Sequence, residues 1–261
     1  MIEKTIKGIK YRLDEDALTA EVIQKRNYDG DIIVPEAVVL KKISYRVTSI
    51  GEGAFSDCTS ISSIVIPDSV TTIGDYAFCN CSALTAITIP NSVTSIGERA
   101  FDYCQRMTSI KIPDSVTTIG DGAFYGCSSL TAIIIPDSVT SIGKRAFFEC
   151  SGLMSVSIGN SVPTIEAEVF YDCSSLTSIT IPNSVTTIGY GAIYGCTSLA
   201  SIAIPDTVTS IVEGAFSSCE SLTSITFQGT IMQWKNIELG GGWNEEIPAK
   251  VVHCTDGDVE I

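Results

Sequence analysis

Leu84-Thr-Ala-Ile-Thr-Ile-Pro-Asn-Ser-Val-Thr-Ser-Ile-Gly-Glu-Arg-Ala-Phe-Asp-Tyr103 is one unit of a repeating chain, and its reading decides the architecture. Ala86 to Ile89 alternates small and apolar residues, which predicts a short strand with Ile87 and Ile89 turned inward. Pro90 ends it, because proline cannot donate to a strand ladder. Asn91 and Ser92 favour a turn, and the β-branched run from Val93 to Ile96 predicts a second extended piece on the opposite side. Gly97 breaks that piece. Ala100, Phe101 and Cys104 then have the spacing of one helical turn with its apolar side inward.

Working outward, the cysteines expose the period: Cys58, Cys81, Cys104, Cys127, Cys150, Cys173, Cys196 and Cys219 are spaced 23 residues apart without insertion or deletion. The same step carries an isoleucine column from Ile50 to Ile211. It also carries a phenylalanine column from Phe55 to Phe216, with Ile193 in its one gap. A single unit cannot bury its apolar side, whereas stacked units bury one another's. The expected structure is a single parallel sheet of eight or nine main strands, with phenylalanines stacked at one level behind it.

Residues 159–169 depart from the pattern. Gly159 replaces the usual proline, Pro163 a threonine, Glu166 the glycine and Val169 an alanine. Val212 also replaces the glycine. The repeat length is kept, so a local adjustment is expected rather than a break. The period is lost over residues 1–46, which read as a hairpin cap and a partial repeat, and over residues 231–261, where Trp234 and Trp243 can plug the core. The intervening residues 47–230 form the eight-repeat array.

Hydrophobic residues make up 44% of the 261 residues and charged residues 18%, which excludes a disordered chain. The formal net charge is −14, most of it in the array. An acidic body repels phosphate, so neither nucleic acid nor anionic lipid is an expected partner. No apolar run is long enough for membrane insertion, and Met1 to Lys10 has no apolar core of a signal peptide. A monomer is expected.

The unit Leu-x-x-Ile-x-Ile-Pro-x-Ser-Val-Thr-x-Ile-Gly-x-x-Ala-Phe-x-x-Cys resembles the BspA-like, or Treponema pallidum-type, leucine-rich repeat. The resemblance covers about residues 47–227. Thr19-Ala-Glu-Val22 and Asp31-Ile-Ile-Val-Pro35 resemble the usual entry to such arrays. Gly229-Thr-Ile-Met-Gln-Trp234 and Val252-His-Cys-Thr-Asp-Gly257 resemble their exit. The implied fold class is α/β: a leucine-rich-repeat solenoid with a curved parallel sheet, short extended segments on the convex side and helical turns. The resemblance further implies a cell-surface or secreted adhesion protein with protein or glycan partners. The chain itself, lacking a signal peptide, is equally compatible with the cytoplasm. No catalytic motif comes with the family.

Side chains that could carry chemistry are few. The cysteine ladder is expected to be buried, reduced and structural, because equivalent positions in a stack point in parallel and cysteine is among the most often buried residues. The only histidine is His253, outside the array, so neither a zinc site nor general acid–base catalysis is expected, and no cofactor. The column after each proline (Asp68, Asn91, Asp114, Asp137, Asn160, Asn183, Asp206) reads as repeated Asx turns rather than a calcium site. Glu52, Asp75, Glu98 and Asp121 precede the expected helical turns and suit their positive ends.

Two patches interrupt an otherwise bland surface. Lys111, Ile134 and Met154 stand out on the main sheet face among serine and threonine, and stacking is expected to gather them into one spot. Tyr125, Phe148, Tyr171 and Tyr194 share a column on the opposite side. Exposed tyrosines would favour the second patch, and tyrosines wedged between repeats the first. A binding or adhesion module is the leading expectation. The alternative is a purely structural spacer, which the small, monotonous main face suits.

Overall fold

The computed structural model describes residues 1–25 and 28–261. It is a solenoid of stacked units whose equivalent residues pair one repeat apart, in register. Main-row strands run parallel from Asp29–Ile33 through Ser60–Val65 and each following unit to Val251–Cys254. Their register puts Ile64 beside Ile87, Val156 beside Ile133 and Ile179, and Ile202 beside Ile225. The expected alternation holds: Ile87 and Ile89 are buried, and Ala86 and Thr88 are exposed. One expectation fails. The described main row has ten parallel strands, and its ladder lapses between Ser109–Lys111 and Ala132–Ile135 and again between Ser178–Thr180 and Ser201–Ile204.

The turn after each strand is closed by the main chain. The N–H of Val93 donates to Pro90 C=O (3.0 Å) and that of Val116 to Pro113 C=O (3.0 Å). The expected Asx turns are not what closes them; the aspartates and asparagines of the column project outward, free of that task. The following hydroxyl ties units together instead: Ser115 Oγ donates to Val93 C=O (2.6 Å) and Ser138 Oγ to Val116 C=O (2.8 Å). The second extended piece forms as expected, a short row of two-residue strands such as Ser95–Ile96, Thr118–Ile119 and Ser141–Ile142. Threonine supports it twice. Thr140 donates both N–H (2.9 Å) and Oγ1 (3.3 Å) to Thr117 C=O.

Where one helical turn was expected, each unit makes a pair of tight turns. The reason is backbone handedness. Two positions per unit, four residues apart, have positive φ: Arg99 (47°) and Tyr103 (54°), Gly122 (58°) and Gly126 (64°), Arg145 (58°) and Glu149 (54°). A left-handed residue ends a right-handed helix and swings its N–H outward. These N–H groups donate forward to the next unit: Arg99 to Asp121 C=O (2.8 Å), Phe101 to Ala123 C=O (2.7 Å) and Tyr103 to Tyr125 C=O (2.7 Å). The acidic column preceding them therefore starts no helix. Asp75 and Asp121 accept from the backbone N–H of Glu98 and Lys144 in the next unit, both at 2.8 Å.

The core is a set of columns. Phe55, Phe78, Phe101, Phe124, Phe147 and Phe170 are fully buried and stack with ring centroids 5.2–5.5 Å apart and planes within 11°. Each burial is worth roughly 2 kcal/mol. Tyr28 covers the first ring (4.9 Å), and Trp243 meets Phe216 edge-on (6.0 Å). Trp234 packs on both Phe227 and Trp243, as plugs would. The eight ladder cysteines are buried and unpaired, and their thiols are occupied: Cys127 Sγ donates to Phe101 C=O (3.2 Å) and Cys150 Sγ to Phe124 C=O (3.1 Å). The one helix among the described residues, Ile231–Lys235, is capped by Thr230 and Gln233. No described helix is long and apolar enough to cross a membrane.

The irregular unit leaves a seam. Ser141–Ile142 and Thr164–Ile165 do not pair, so the short row divides there. Pro163 has neither the N–H nor the hydroxyl that Thr140 and Thr186 use. The turn bond from Val162 to residue 159, the Ser161 hydroxyl bond and the Glu166 N–H bond to Ile142 C=O are also missing, although their equivalents recur in neighbouring units. The adjustment thus goes as far as interrupting one ladder. The main row does not follow: Ala132–Ile135 pairs with Ser155–Ile158 over four residues at this same junction. Conversely, both lapses in the main row fall where the short row is continuous. Among the described residues, no junction loses both ladders.

Candidate functional site

The chemistry-bearing side chains converge on the turn side. The left-handed turns hold one column at the surface, and Tyr125, Phe148, Tyr171 and Tyr194 occupy it. Their rings stack nearly parallel with centroids 4.8, 4.7 and 4.5 Å apart. All four are half-buried. They are therefore neither free nor wedged into the core: each ring face is covered by the next ring, while edges and hydroxyls meet solvent. Tyr103 leans on Tyr125 at 5.4 Å and extends the ridge. Burial pushes the Tyr125 hydroxyl up to about 12 and raises that of Tyr171, so both are neutral hydrogen-bonding groups at physiological pH.

Cations flank this ridge. The Arg99 guanidinium lies 5.7 Å from the Tyr125 ring centroid and that of Arg145 lies 6.0 Å from Phe148. Arg145 is held by Glu168 (Nε–Oε2 2.5 Å) and Arg99 by Asp102 (3.3 Å). Beside them is an open hollow of about 430 Å³, lined among others by Arg99, Lys144, Arg145, Glu168 and Tyr190. A second hollow of about 430 Å³ lies farther along, against Tyr171, Tyr194 and Glu213. Arg99, Tyr103 and Tyr190 were not singled out from the sequence. The signal that could have found them is their position: Arg99 and Tyr103 are a left-handed pair, and Tyr190 follows the glycine where other units place an acid.

One buried polar group lies under the ridge. Asp102 takes the column position that Tyr125 holds in the next unit, and only 3% of it is exposed. One carboxylate oxygen contacts Arg99, and the other has no hydrogen-bond partner among the described residues. Burial outweighs the nearby guanidinium and pushes its carboxyl up to about 6.

The main-face patch is looser than expected. Ile134 is 71% exposed and Met154 50% exposed. Thr131 N–H donates to Thr108 C=O, which sets Lys111 beside Ile134. Ser155 pairs with Ala132, so Met154 lies level with Thr131, three residues or about 10 Å along the strand from Ile134. The structure joins Lys111 to Ile134 and leaves Met154 apart.

The comparisons agree with this architecture. The sequence model of the BspA type leucine rich repeat region matches in six copies over residues 40–154 and 117–237. A leucine-rich repeat protein from Bacteroides ovatus is 29% identical with a TM-score of 0.72, over 97% of this chain and 71% of that one. The T. pallidum leucine rich repeat protein is 28% identical with a TM-score of 0.67, over 76% of this chain and 91% of that one. A leucine-rich repeat protein from Eubacterium ventriosum, 19% identical over 96% of this chain and 97% of that one, shares the fold with a TM-score of 0.51. A search of curated proteins gave no match.

Proposed function

This chain belongs to the BspA-type leucine-rich-repeat family, a non-catalytic scaffold, and we propose that it binds an extended protein or glycan partner along the aromatic ridge of its turn side. The observation that carries this reading is the unbroken stack of Tyr125, Phe148, Tyr171 and Tyr194 with arginines alongside and two successive hollows beside it. Tyrosine and arginine are the residue types that dominate contact energies, and a pre-stacked ridge loses little side-chain freedom on binding. The main face offers the partner serine, threonine and alanine, with Lys111 and Ile134 its chief exceptions. Cell-surface display and adhesion suit such a module, on the strength of the family alone.

The test is a screen of the intact chain against host-protein and glycan arrays. It is followed by Tyr171→Ser with Tyr194→Ser in one variant and Ile134→Ser with Met154→Ser in another. Loss of binding only in the first supports the ridge, and loss only in the second moves the contact to the main face. Binding that survives both sets of changes, or a correctly folded chain that binds nothing on the arrays, overturns the proposal and leaves the spacer reading.

A further inference from the structure

The two ends of the stack are apolar and differ in charge: the first is near neutral with lysines beside its hollow, and the second is acidic. At the N-terminal end, a hollow of about 390 Å³ is lined by Ile6, Ile9, Tyr11, Ile33, Val38 and Val39 among others, with Lys7 the only charged lining residue among those described. Ile33 is 71% exposed and Val39 61% exposed. Alternation along Ile2–Ile6 puts Lys4 on the same face as Ile6, and Lys41 with Lys42 forms the exposed turn after Ala37–Leu40. Two acids lie close in the chain: Glu36, exposed between Pro35 and Ala37, and Asp31, two residues before Ile33 and held by the Ser62 (3.0 Å) and Ser63 (2.6 Å) hydroxyls.

At the C-terminal end, a hollow of about 320 Å³ is lined by Trp234, Ile237, Leu239, Trp243, Val259 and Ile261, with Lys235 and Glu260 also present. Leu239 is 42% exposed and Met232, on the adjacent helix, 75% exposed. Glu238, Glu245, Glu246 and Asp258 are exposed in the same terminal layer, Glu245 on the turn-side hollow and Asp258 beside His253 (2.8 Å). Residues 1–46 carry nine Lys/Arg against eight Asp/Glu, a balance of +1, and residues 231–261 carry two against six, a balance of −4.

We propose that the occupant of the N-terminal hollow is the C-terminal end of a second copy of this chain, so that solenoids associate head to tail. Each end is a poor match for itself: lysines would face lysines in a head-to-head pair, and glutamates would face glutamates tail to tail. Joined head to tail, both apolar hollows are covered and the rims are complementary. Such a contact is heterologous and leaves a free end on each side, so it extends with concentration rather than closing.

Sedimentation of the intact chain over a range of concentrations tests this directly. Average mass should rise with concentration and fall as salt is raised. Val39→Asp, which alters only the first end, and Leu239→Lys, which alters only the second, should each be monomeric alone. Mixed in equal amounts, they should form a one-to-one pair that grows no further, because each variant retains the end its companion lacks. Circular dichroism on both variants ensures that loss of association is not loss of fold; if either fails to fold, Lys41→Glu with Lys42→Glu and Glu260→Lys, an exposed carboxylate on the C-terminal hollow itself, take their places. A wild-type chain that stays monomeric at millimolar concentration overturns the proposal. So does a Val39→Asp or Leu239→Lys chain that still associates by itself.

Discussion

The junction between Ser138–Ile142 and residues 161–165 differs from the one before it by a few atoms, and the consequence is a divided strand row. In the preceding junction Thr140 gives two hydrogen bonds to Thr117 C=O, and Ser138 gives one to Val116 C=O. At the seam, Pro163 gives none and Ser161 is disengaged. Loss of the glycine is not the cause by itself. Val212 also replaces that glycine, yet its N–H still reaches Ile188 C=O at 2.8 Å and its row stays paired. A Cβ at Gly143 would lie 2.4 Å from the Asp121 backbone nitrogen, so the glycine allows close approach where the donors demand it. The comparison teaches that the short row is held by its threonine and serine donors, and that the glycine only makes room for them.

The sharpest way to break this comparison is to move the seam. Thr140→Pro places the same lesion at a junction where the main-row ladder has already lapsed, so both rows would be open at one level. Destabilisation on the order of 3 kcal/mol is expected, with urea unfolding splitting into two transitions as the halves uncouple. Thr117→Pro makes the identical change where Ala86–Thr88 and Ser109–Lys111 remain paired, and should cost roughly 2 kcal/mol in a single transition. Equal effects of the two would show that the alternation of lapses has no energetic meaning.

Asp102 is a departure of another kind, a side chain out of place rather than a donor removed. Its folded-state value of about 6 lies above the ordinary 3.8, so the fold is favoured while the carboxyl is protonated. That contribution is complete below pH ~4 and is lost as pH rises through ~6. Its loss is worth on the order of 2 kcal/mol. Asp102→Asn should therefore gain on the wild type as pH is raised from 4 to 7, read as the difference between the two stability profiles. A constant difference across that window would mean the carboxylate is already solvated.

Repairing the seam should have a smaller effect. Pro163→Thr restores two donors worth about 1 kcal/mol each and gives up roughly half of that through the freer unfolded chain. A net gain of about 1 kcal/mol is expected in the urea midpoint. Smallest of all is the effect on thiol access. The turn-side bonds persist across the seam, with Phe147 N–H donating to Val169 C=O (2.9 Å) and Cys173 Sγ to Phe147 C=O (3.3 Å). Cys150 and Cys173 should therefore react with a thiol reagent no faster than Cys104 and Cys127, after the half-buried Cys79 and Cys254. Faster labelling of Cys150 and Cys173 would mean the seam opens through the core.

Much of this was written in the period. A column repeated every 23 residues can only be a stack, and an apolar column in a stack can only be its interior, which is why the strands, the phenylalanine spine and the buried thiols were legible. Backbone handedness was not. Left-handed positions filled by Arg99, Tyr103, Arg145, Glu149 and Glu168 carry no glycine signal, so tight turns read as a helical turn. The lapses in the main row leave no mark at all, since Ser109 and Ser155 look alike in sequence but only the second pairs with Ala132. At the candidate site, the column of four aromatics could be read, but their mutual stacking and the arginines beside them depended on the turns that went unread. Met154 and Ile134 hold column positions three residues apart, so stacking by itself does not bring them level.

Those same turns have an electrical consequence. In each of seven consecutive units, three N–H groups point toward the C-terminal end of the stack, from Gly53, Phe55 and Asp57 to Gly191, Ile193 and Gly195. Peptide dipoles of about 3.5 D aligned in one direction add, as they do along a helix axis, but here they run from unit to unit without any helix. The positive pole of this row lies at its C-terminal end, the reverse of an α-helix. Glu213, Glu245 and Glu246 are gathered at that pole, and the Ser217 hydroxyl takes the N–H of Glu245 there at 3.2 Å. The acidity of the last units thus answers a field that the backbone itself generates, and neutralising those glutamates should loosen the final turns before any other part of the stack.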